Sequence, residues 1–211
     1  MLQFYNVKKY YGNYLAMDIP SLTLPKGVYW LKGENGSGKT TFLKMIAGLH
    51  PFEGDIRLPK CSIKKNRIAF LQSVNYAEAE PIYPDFLTAK DLVELYCYSK
   101  KGDRKQAINL LGELHIRDAY EKSLGTYSSW MLKKLSIALA FIGNPSWILL
   151  DEPLITVDVE AVTIIGNLID NFYKQNETSF LITSHQPFQT NSPHITNKLI
   201  AAKQTISLLY E

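Results

Sequence analysis

Apolar residues are concentrated in four short runs that polar residues scarcely interrupt: VYWLK (28–32), IAFLQ (68–72), WILL (147–150) and SFLIT (179–183). Runs of this length without alternation are typical of strands that are buried on both faces, as in a parallel sheet. Helical patterns lie between them along the chain. We therefore expect an α/β fold of the P-loop NTPase type, with a mostly parallel core sheet.

Each end of the sequence has a different pattern. LQFYNVKKYY and NYLAMDI flank Gly12 near the start, KLIAAKQTISLLYE stands near the end, and each stretch predicts an antiparallel strand pair. Between the second and third runs, FLTAKDLVELYCYSK and DRKQAINLLGELHI show helical spacing, with Thr88 and Asp103 as candidate N-caps. We expect one domain over 1–211, with an N-terminal antiparallel subdomain and a helical subdomain inserted at about 85–142.

Composition narrows the class of protein. The 211 residues are 46% hydrophobic and 20% charged, as expected for a folded globular domain, and the formal net charge is only +3. Lysines are scattered without a long basic run, so no nucleic-acid partner is expected. Cys61 and Cys97 lack metal-ligand spacing, which favours reduced thiols in a cytoplasmic protein. No apolar segment reaches the ~18–20 residues that span a bilayer.

The segment GENGSGKTT carries the strongest chemical signal, because it follows the strand VYWLK and precedes a helical pattern. A glycine-rich turn in that setting directs backbone N–H groups and a helix N-terminus at a nucleotide phosphate. Lys39 is expected to bridge the β- and γ-phosphates, and Thr40 to hold magnesium. The predicted phosphate-binding residues are Gly33, Glu34, Asn35, Gly36, Ser37, Gly38, Lys39, Thr40 and Thr41.

Polar side chains stand at the ends of three other predicted strands. Asp151 and Glu152 follow WILL, Gln72 closes IAFLQ, and His185 follows SFLITS. Ligands bind at the carboxyl ends of strands in such sheets, so we expect these side chains to gather around the phosphate loop. Asp151 can hold magnesium through water, and Glu152 can accept a proton from an attacking water.

Over nearly its whole length the sequence resembles the nucleotide-binding subunits of ATP-binding cassette (ABC) transporters. GENGSGKTT resembles the Walker A motif and WILLDEP the Walker B segment with its catalytic glutamate. The other matching positions are the Q-loop glutamine Gln72, the D-loop aspartate Asp158 and the H-loop histidine His185. In YYG, Tyr11 resembles the aromatic residue that stacks on adenine, and Tyr10 is a competing choice.

The resemblance implies a subunit that hydrolyses ATP and pairs with a second cassette, its own copy or a different one, around two ATP molecules. Glu152, His185, Gln72 and Lys39 would carry catalysis, and Thr40, Gln72 and Asp151 would hold Mg²⁺. Such a subunit drives a separately encoded transmembrane permease from the inner face of the plasma membrane. The absence of a C-terminal regulatory extension and the YSS-type signature favour export.

The family signature, usually LSGGQ, is replaced here by YSSWM. Ser128 matches the serine of that motif, while Ser129 and Trp130 stand at the two glycine positions. Three interpretations stay open: a tolerated variant whose backbone N–H groups still bind phosphate, a weakened half-site that needs a different partner cassette, or a misplaced loop with Trp130 in the core. Other functions consistent with the sequence are a regulatory ABC-type ATPase without a membrane partner and a small-molecule kinase.

Overall fold

The computed structural model describes residues 1–154, 159–184 and 193–209. The strands are β1 (Leu2–Tyr11), β2 (Tyr14–Leu24), β3 (Val28–Lys32), β4 (Glu53–Leu58), β5 (Cys61–Ser62), β6 (Val74–Ala77), β7 (Trp147–Leu150), β8 (Ser179–Thr183), β9 (Asn197–Ala202) and β10 (Thr205–Leu209). The α-helices are α1 (Lys39–Ile46), α2 (Arg67–Gln72), α3 (Ala89–Lys100), α4 (Arg104–Glu113), α5 (Ser129–Ala140) and α6 (Val159–Gln175).

Two sheets organise the described part of the chain. One is antiparallel in the order β2-β1-β4-β5, and the other has the order β10-β9-β3-β8-β7-β6. Strands β9, β3, β8, β7 and β6 pair in parallel, while β10 adds to the edge in an antiparallel pair. The predicted α/β fold with a mostly parallel core sheet is confirmed, as are the antiparallel pairs near both ends of the chain.

Alternate residues of the central strands are buried on opposite faces of the large sheet. Ile148 and Leu150 of β7 pack into a cluster with the helices α3 to α5, whereas Trp147 and Leu149 pack with α1 and the antiparallel sheet. Since both faces are covered, an apolar side chain is favoured at every position of these strands. This double burial explains the uninterrupted apolar runs and fixes the strand register.

The prediction of a strand at 68–72 is wrong. Residues Arg67–Gln72 form α2, in which Phe70 is fully buried and Ile68 is 78% exposed, so the run is amphipathic. A run of five residues is too short to separate the two periodicities by pattern. The strand lies at Val74–Ala77, where the buried polar Asn75 interrupts the apolar pattern; its amide donates to Ala140 O and Ile142 O at 2.8 and 2.9 Å.

Helices α3, α4 and α5 all lie between β6 and β7 in the chain. Both predicted N-caps are present: Thr88 forms a reciprocal capping box with Asp91, and the Asp103 side chain accepts from two N–H groups of the first turn of α4. The extent of the helical subdomain stays a prediction. Over the described ranges, no helix combines the length and the apolar character that crossing a membrane requires.

Candidate nucleotide-binding site

The phosphate loop lies between β3 and α1. The Lys39 ammonium donates to the backbone oxygens of Gly33 at 2.8 Å and Glu34 at 3.0 Å, so the loop is wrapped around its own lysine. Gly38 has φ 96° immediately before α1, a left-handed conformation that favours glycine. This turn directs the first N–H groups of α1, which have no partner within the helix, into the loop.

Gly33 is required for close packing. A Cβ atom at this position would lie 2.7 Å from the Ala201 backbone oxygen and would also collide with the Ser37 hydroxyl. At Gly33 the loop therefore packs against β9 without room for a side chain. By contrast, Glu34, Asn35 and Gly36 form its exposed outer part.

Lys39 is only 6% exposed, and its environment acts on its charge in two ways. Burial lowers the pKa of the Lys39 ammonium, while the nearby carboxylates of Glu152 and Asp151 act to raise that pKa. A phosphate group beside the amine would add further negative charge and favour the charged form. The electrostatics thus suit a lysine that binds an anion.

The Thr183 hydroxyl ties the two acidic residues together at the end of β8. It donates to Asp151 Oδ1 at 2.7 Å and accepts from the Glu152 backbone N–H at 2.8 Å. Tyr76 of β6 donates its hydroxyl to Asp151 Oδ2 at 3.3 Å. Glu152 has φ 47°, which is uncommon for a residue other than glycine and is often found at functional sites. The backbone at Glu152 is thus held from a neighbouring strand.

The parallel register brings the phosphate loop and the acidic pair to the same edge of the sheet, the one formed by the carboxyl ends of the strands. Strands β3 and β7 are separated only by β8, or about 10 Å at the usual strand spacing. Lys133, which is buried on α5, is also close enough for Glu152 and Asp151 to act to raise its pKa, although burial lowers it overall. Two lysines from different helices therefore act electrostatically on one carboxylate pair.

Gln72 is not at this edge, because it ends α2 at the amino end of β6. Val74 pairs with Trp147 and Ala77 with Leu150, so the residue that leaves β6 beside Asp151 is Glu78. Gln72 and Glu78 are separated by the whole of β6, which is about 13 Å long at 3.3 Å per residue. The placement of Gln72 among the catalytic and magnesium-binding residues was therefore a consequence of the wrong strand assignment.

Glu78 instead forms an ion pair with Lys44 of α1 at 2.9 Å. An acidic residue after a strand is a recognisable sequence signal, but Asn75 and Tyr76 concealed that strand. Thr183 was also missed, although a polar residue closing the apolar run SFLIT is visible in the sequence.

The choice between the two neighbouring tyrosines is clear from their contacts. The Tyr11 hydroxyl lies 3.3 Å from Thr41 Oγ1, on the first turn of α1, and the residue is 48% exposed. Tyr10 is the adjacent residue of the same strand, so its side chain points to the opposite face. Tyr11 is therefore the tyrosine beside the phosphate loop.

The segment YSSWM begins α5. Ser128 is its N-cap and accepts from the Met131 N–H at 3.2 Å, and both Ser128 and Ser129 are exposed. Trp130 is half-buried, and Lys134, one turn further along, lies 5.1 Å from its ring centroid. Trp130 is thus a surface residue of the first turn, not a core residue, and the interpretation that placed it in the core is wrong.

The last two predicted site residues, Asp158 and His185, lie outside the described residues. Those brought to one edge of the sheet are the phosphate loop, Thr40, Thr41, Asp151 and Glu152, with Tyr11 beside them. Ser128 and Ser129 lie at the exposed start of α5.

The donor set of this edge fits Mg²⁺ bound together with a nucleotide. Mg²⁺ prefers six oxygen ligands and usually keeps waters and phosphate oxygens beside one or two protein ligands. The Asp151 carboxylate and the Thr40 hydroxyl are of that kind. Within the described ranges no cluster of three or more His, Cys, Asp or Glu side chains is arranged to hold a metal by itself.

Comparisons with known proteins agree with this geometry. The family model described as "ABC transporter" matches residues 17–155, which is more than half of the chain. The chain belongs to the ABC transporter family and is an ATPase cassette of that family.

Its curated relatives include several transport proteins. A lipoprotein-releasing system ATP-binding protein of Buchnera aphidicola is 30% identical over 82% of this chain and 81% of the relative. The bacitracin transport ATP-binding protein of Enterococcus faecalis is 29% identical over 85% of this chain, and ATP-binding cassette sub-family A member 2 of Homo sapiens is 33% identical over 88%. The chain spans 59% of the former relative and 8% of the latter.

Solved structures share the fold. An ATP-binding subunit of an ABC transporter superposes with a TM-score of 0.85, covering 99% of this chain and 90% of that one, at 19% identity. The cassette MJ0796, in a dimeric post-hydrolysis state bound to ADP and Pi, superposes with a TM-score of 0.82 at 18% identity, covering 100% of both chains.

The Thr183 bridge generates a testable prediction. In Thr183→Val the loss of the hydroxyl releases Asp151 and the Glu152 backbone, so we expect kcat for ATP hydrolysis to fall about 10- to 100-fold through misplacement of the acidic pair. Thr178→Val is the matched control, because Thr178 is equally buried and its hydroxyl bonds Pro145 O, away from the site.

Both substitutions should lower the free energy of unfolding by about 1–3 kcal/mol. Urea denaturation and steady-state ATPase assays would separate the two effects. Equal losses of kcat in both variants would show that the Thr183 bridge acts through stability alone.

Proposed function

We propose that this chain is the ATP-hydrolysing subunit of a membrane exporter, which closes with a second cassette over two ATP molecules and drives a separate transmembrane permease. The main support for the proposal is that Lys39, Asp151 and Glu152 lie at the same edge of the sheet, with Lys39 held inside the phosphate loop. Membership of the ABC transporter family indicates that the reaction is ATP hydrolysis. Its relatives, which include proteins named for bacitracin transport and lipoprotein release, support a role in transport.

In the proposed reaction, ATP binds with its phosphates in the loop 33–41 and its base against Tyr11. Glu152 accepts a proton from a water molecule as the water oxygen attacks the γ-phosphorus, and the bond to the β-phosphate bridging oxygen breaks to release ADP. Lys39 turns from the loop carbonyls to the β- and γ-phosphates, where it stabilises the charge that develops.

The metal role falls to Thr40 and Asp151, without Gln72. Bound Mg²⁺ would neutralise charge on the β- and γ-phosphate oxygens. Asp151 is only 2% exposed, and both of its carboxylate oxygens accept hydrogen bonds, so its orientation is fixed before the metal arrives. The metal ligand that the sequence predicted at Gln72 would instead be a water molecule or Glu78.

In the proposed dimer, Ser128 and the backbone at the start of α5 close over the γ-phosphate of the second subunit's nucleotide. The exposure of Ser128 and Ser129 at a helix N-terminus supports this, since such a terminus favours an anion. Trp130 lies beside Lys134 and leaves the N-terminal N–H groups to the ligand. We propose that YSSWM is a working variant of the signature, in a homodimer.

The segment that follows β6 supports a protein partner. Four large apolar side chains between β6 and the end of α3 are strongly exposed: Ile82 at 89%, Phe86 at 81%, Leu95 at 58% and Tyr98 at 88%. Apolar side chains that are exposed together in one region often mark interaction surfaces. We assign them to docking of a cytoplasmic helix of the permease, which would place the cassette on the inner face of the plasma membrane.

Glu152→Gln tests the catalytic proposal. The amide cannot accept a proton, so we expect ATP turnover to fall about 100-fold or more while ATP affinity stays within about twofold. Glu160→Gln, an exposed carboxylate that faces His115, is the control and should leave turnover unchanged. Turnover that survives in Glu152→Gln would remove Glu152 from its role as the base.

Cell fractionation tests the membrane partner. When the full chain is expressed in its own host, we expect wild type in the membrane fraction and the double variant Phe86→Ser/Tyr98→Ser in the supernatant, because two apolar contacts are lost. Leu209→Ser, which changes another exposed apolar residue, should stay with the membrane. Wild type in the supernatant would contradict the proposal and favour the regulatory ATPase that acts without a permease.

A further inference from the structure

The hydroxyl of Tyr11 has two partners from the region of α1. It lies 3.3 Å from Thr41 Oγ1 and 3.1 Å from His50 Nδ1. If Thr41 donates to Tyr11 and Tyr11 donates to His50, both bonds are satisfied with one proton each. The hydroxyl of the candidate base-stacking residue is thus fixed to the phosphate-loop helix on one side and to the loop after that helix on the other.

His50 can accept this proton only when its Nδ1 is unprotonated. Burial is the main cause that lowers the pKa of His50, and the positive charges of Lys9 and Lys44 lower it further. Lys64 and Arg67, which are also positively charged, line one cavity together with His50. The lowered pKa favours the neutral imidazole at pH 7. The His50 ring meets the Tyr11 ring edge-on, at 90° and 6.1 Å between centroids.

One face of Tyr11 is already occupied. Lys9 is only 6% exposed, donates to Pro51 O at 3.0 Å and lies 4.6 Å from the Tyr11 ring centroid. Because Lys9 covers one face and Thr41 and His50 hold the hydroxyl, the ring has one orientation and one face left for a flat ligand. A base that stacks there meets an aromatic surface whose motion is already restricted.

We propose that His50 is a positioning residue for the nucleotide base: its Nδ1 accepts the Tyr11 hydroxyl proton and, with Thr41, fixes the ring on which a purine stacks. The inference rests on the proposed function, since it assumes that Tyr11 contacts the base. It links base recognition to the phosphate loop through Thr41, and it predicts that His50 affects the base but not the phosphates.

The test compares two ligands, ATP and inorganic tripolyphosphate, by equilibrium binding in the presence of EDTA. Tripolyphosphate contacts the phosphate loop but has no base. We expect His50→Ala to weaken ATP binding about 3- to 10-fold and to leave tripolyphosphate binding unchanged, because one side chain must now be ordered on binding. His50→Asn, whose amide oxygen can replace Nδ1 as acceptor, should restore ATP affinity to within about twofold.

Further variants distinguish a failure of the role proposed for His50 from a failure of the base site at Tyr11. Tyr11→Phe should weaken ATP binding at least as much as His50→Ala does, because it removes the bond to Thr41 as well as the bond to His50. The double variant should lose no more than Tyr11→Phe alone, since without the hydroxyl the bond to His50 is already absent. His115→Asn is the control, because His115 is exposed and Asn tolerates its φ of 56°. If Tyr11→Ala loses ATP affinity but His50→Ala does not, His50 has no such role. If Tyr11→Ala retains full affinity, the base site itself is wrong.

The pH dependence gives a second readout. The ratio of ATP to tripolyphosphate affinity in wild type, divided by the same ratio in His50→Asn, should fall as the pH drops through the lowered pKa of His50, below its ordinary value of about 6.5. Tripolyphosphate has two terminal phosphates and ATP has one, so their own titration does not cancel within one protein, but it is the same for both proteins and cancels between them. A pH dependence that is identical in wild type and in His50→Asn would overturn the proposal.

Discussion

The parallel pairing of β3, β8, β7 and β6 is the constraint on which the site depends. Parallel strands run in one direction, so the residues that follow them leave the sheet at a common edge. Four segments separated by up to 150 residues are thereby brought within a nucleotide's length of one another. Register is held by burial on both faces, because a slip by one residue would exchange the two sets of core side chains.

Within this arrangement, the geometry of the proposed site depends on a few polar contacts. Lys39 closes its own loop through a local contact, whereas Thr183 of β8 holds Asp151 and the backbone of Glu152, and Tyr76 of β6 holds the second oxygen of Asp151. The contacts of Thr183 and Tyr76 join residues that are distant in sequence and close only when the register is correct. The site is thus preorganised by the same pairing that stabilises the fold.

The sequence allowed most of the core sheet to be predicted, because double burial leaves a direct trace in the apolar runs at β3, β7 and β8. The prediction failed at β6, because buried Asn75 interrupts the apolar run there and because the short amphipathic helix α2 just before it has the apolar pattern of a strand. That failure moved the expected edge residue from Glu78 to Gln72. Contacts such as those of Thr183 and His50 depend on distances between elements, which no local pattern encodes.

The position of Trp130 also could not be predicted from a local sequence pattern. The sequence identified the unusual signature segment but could not tell a surface residue from a core residue, since a tryptophan at helical spacing fits either. Its place beside Lys134, with Ser128 capping α5, leaves the helix N-terminus open to a ligand from another chain.

We propose above that two copies of this chain close over ATP bound at the sheet edge, with YSSWM completing each site. The most direct measurement is the solution mass of Glu152→Gln by light scattering, with and without Mg²⁺-ATP, since this variant should bind ATP without consuming it. We expect the mass to double on addition of ATP and to stay unchanged with ADP. A protein that binds ATP and stays monomeric at every concentration would contradict it.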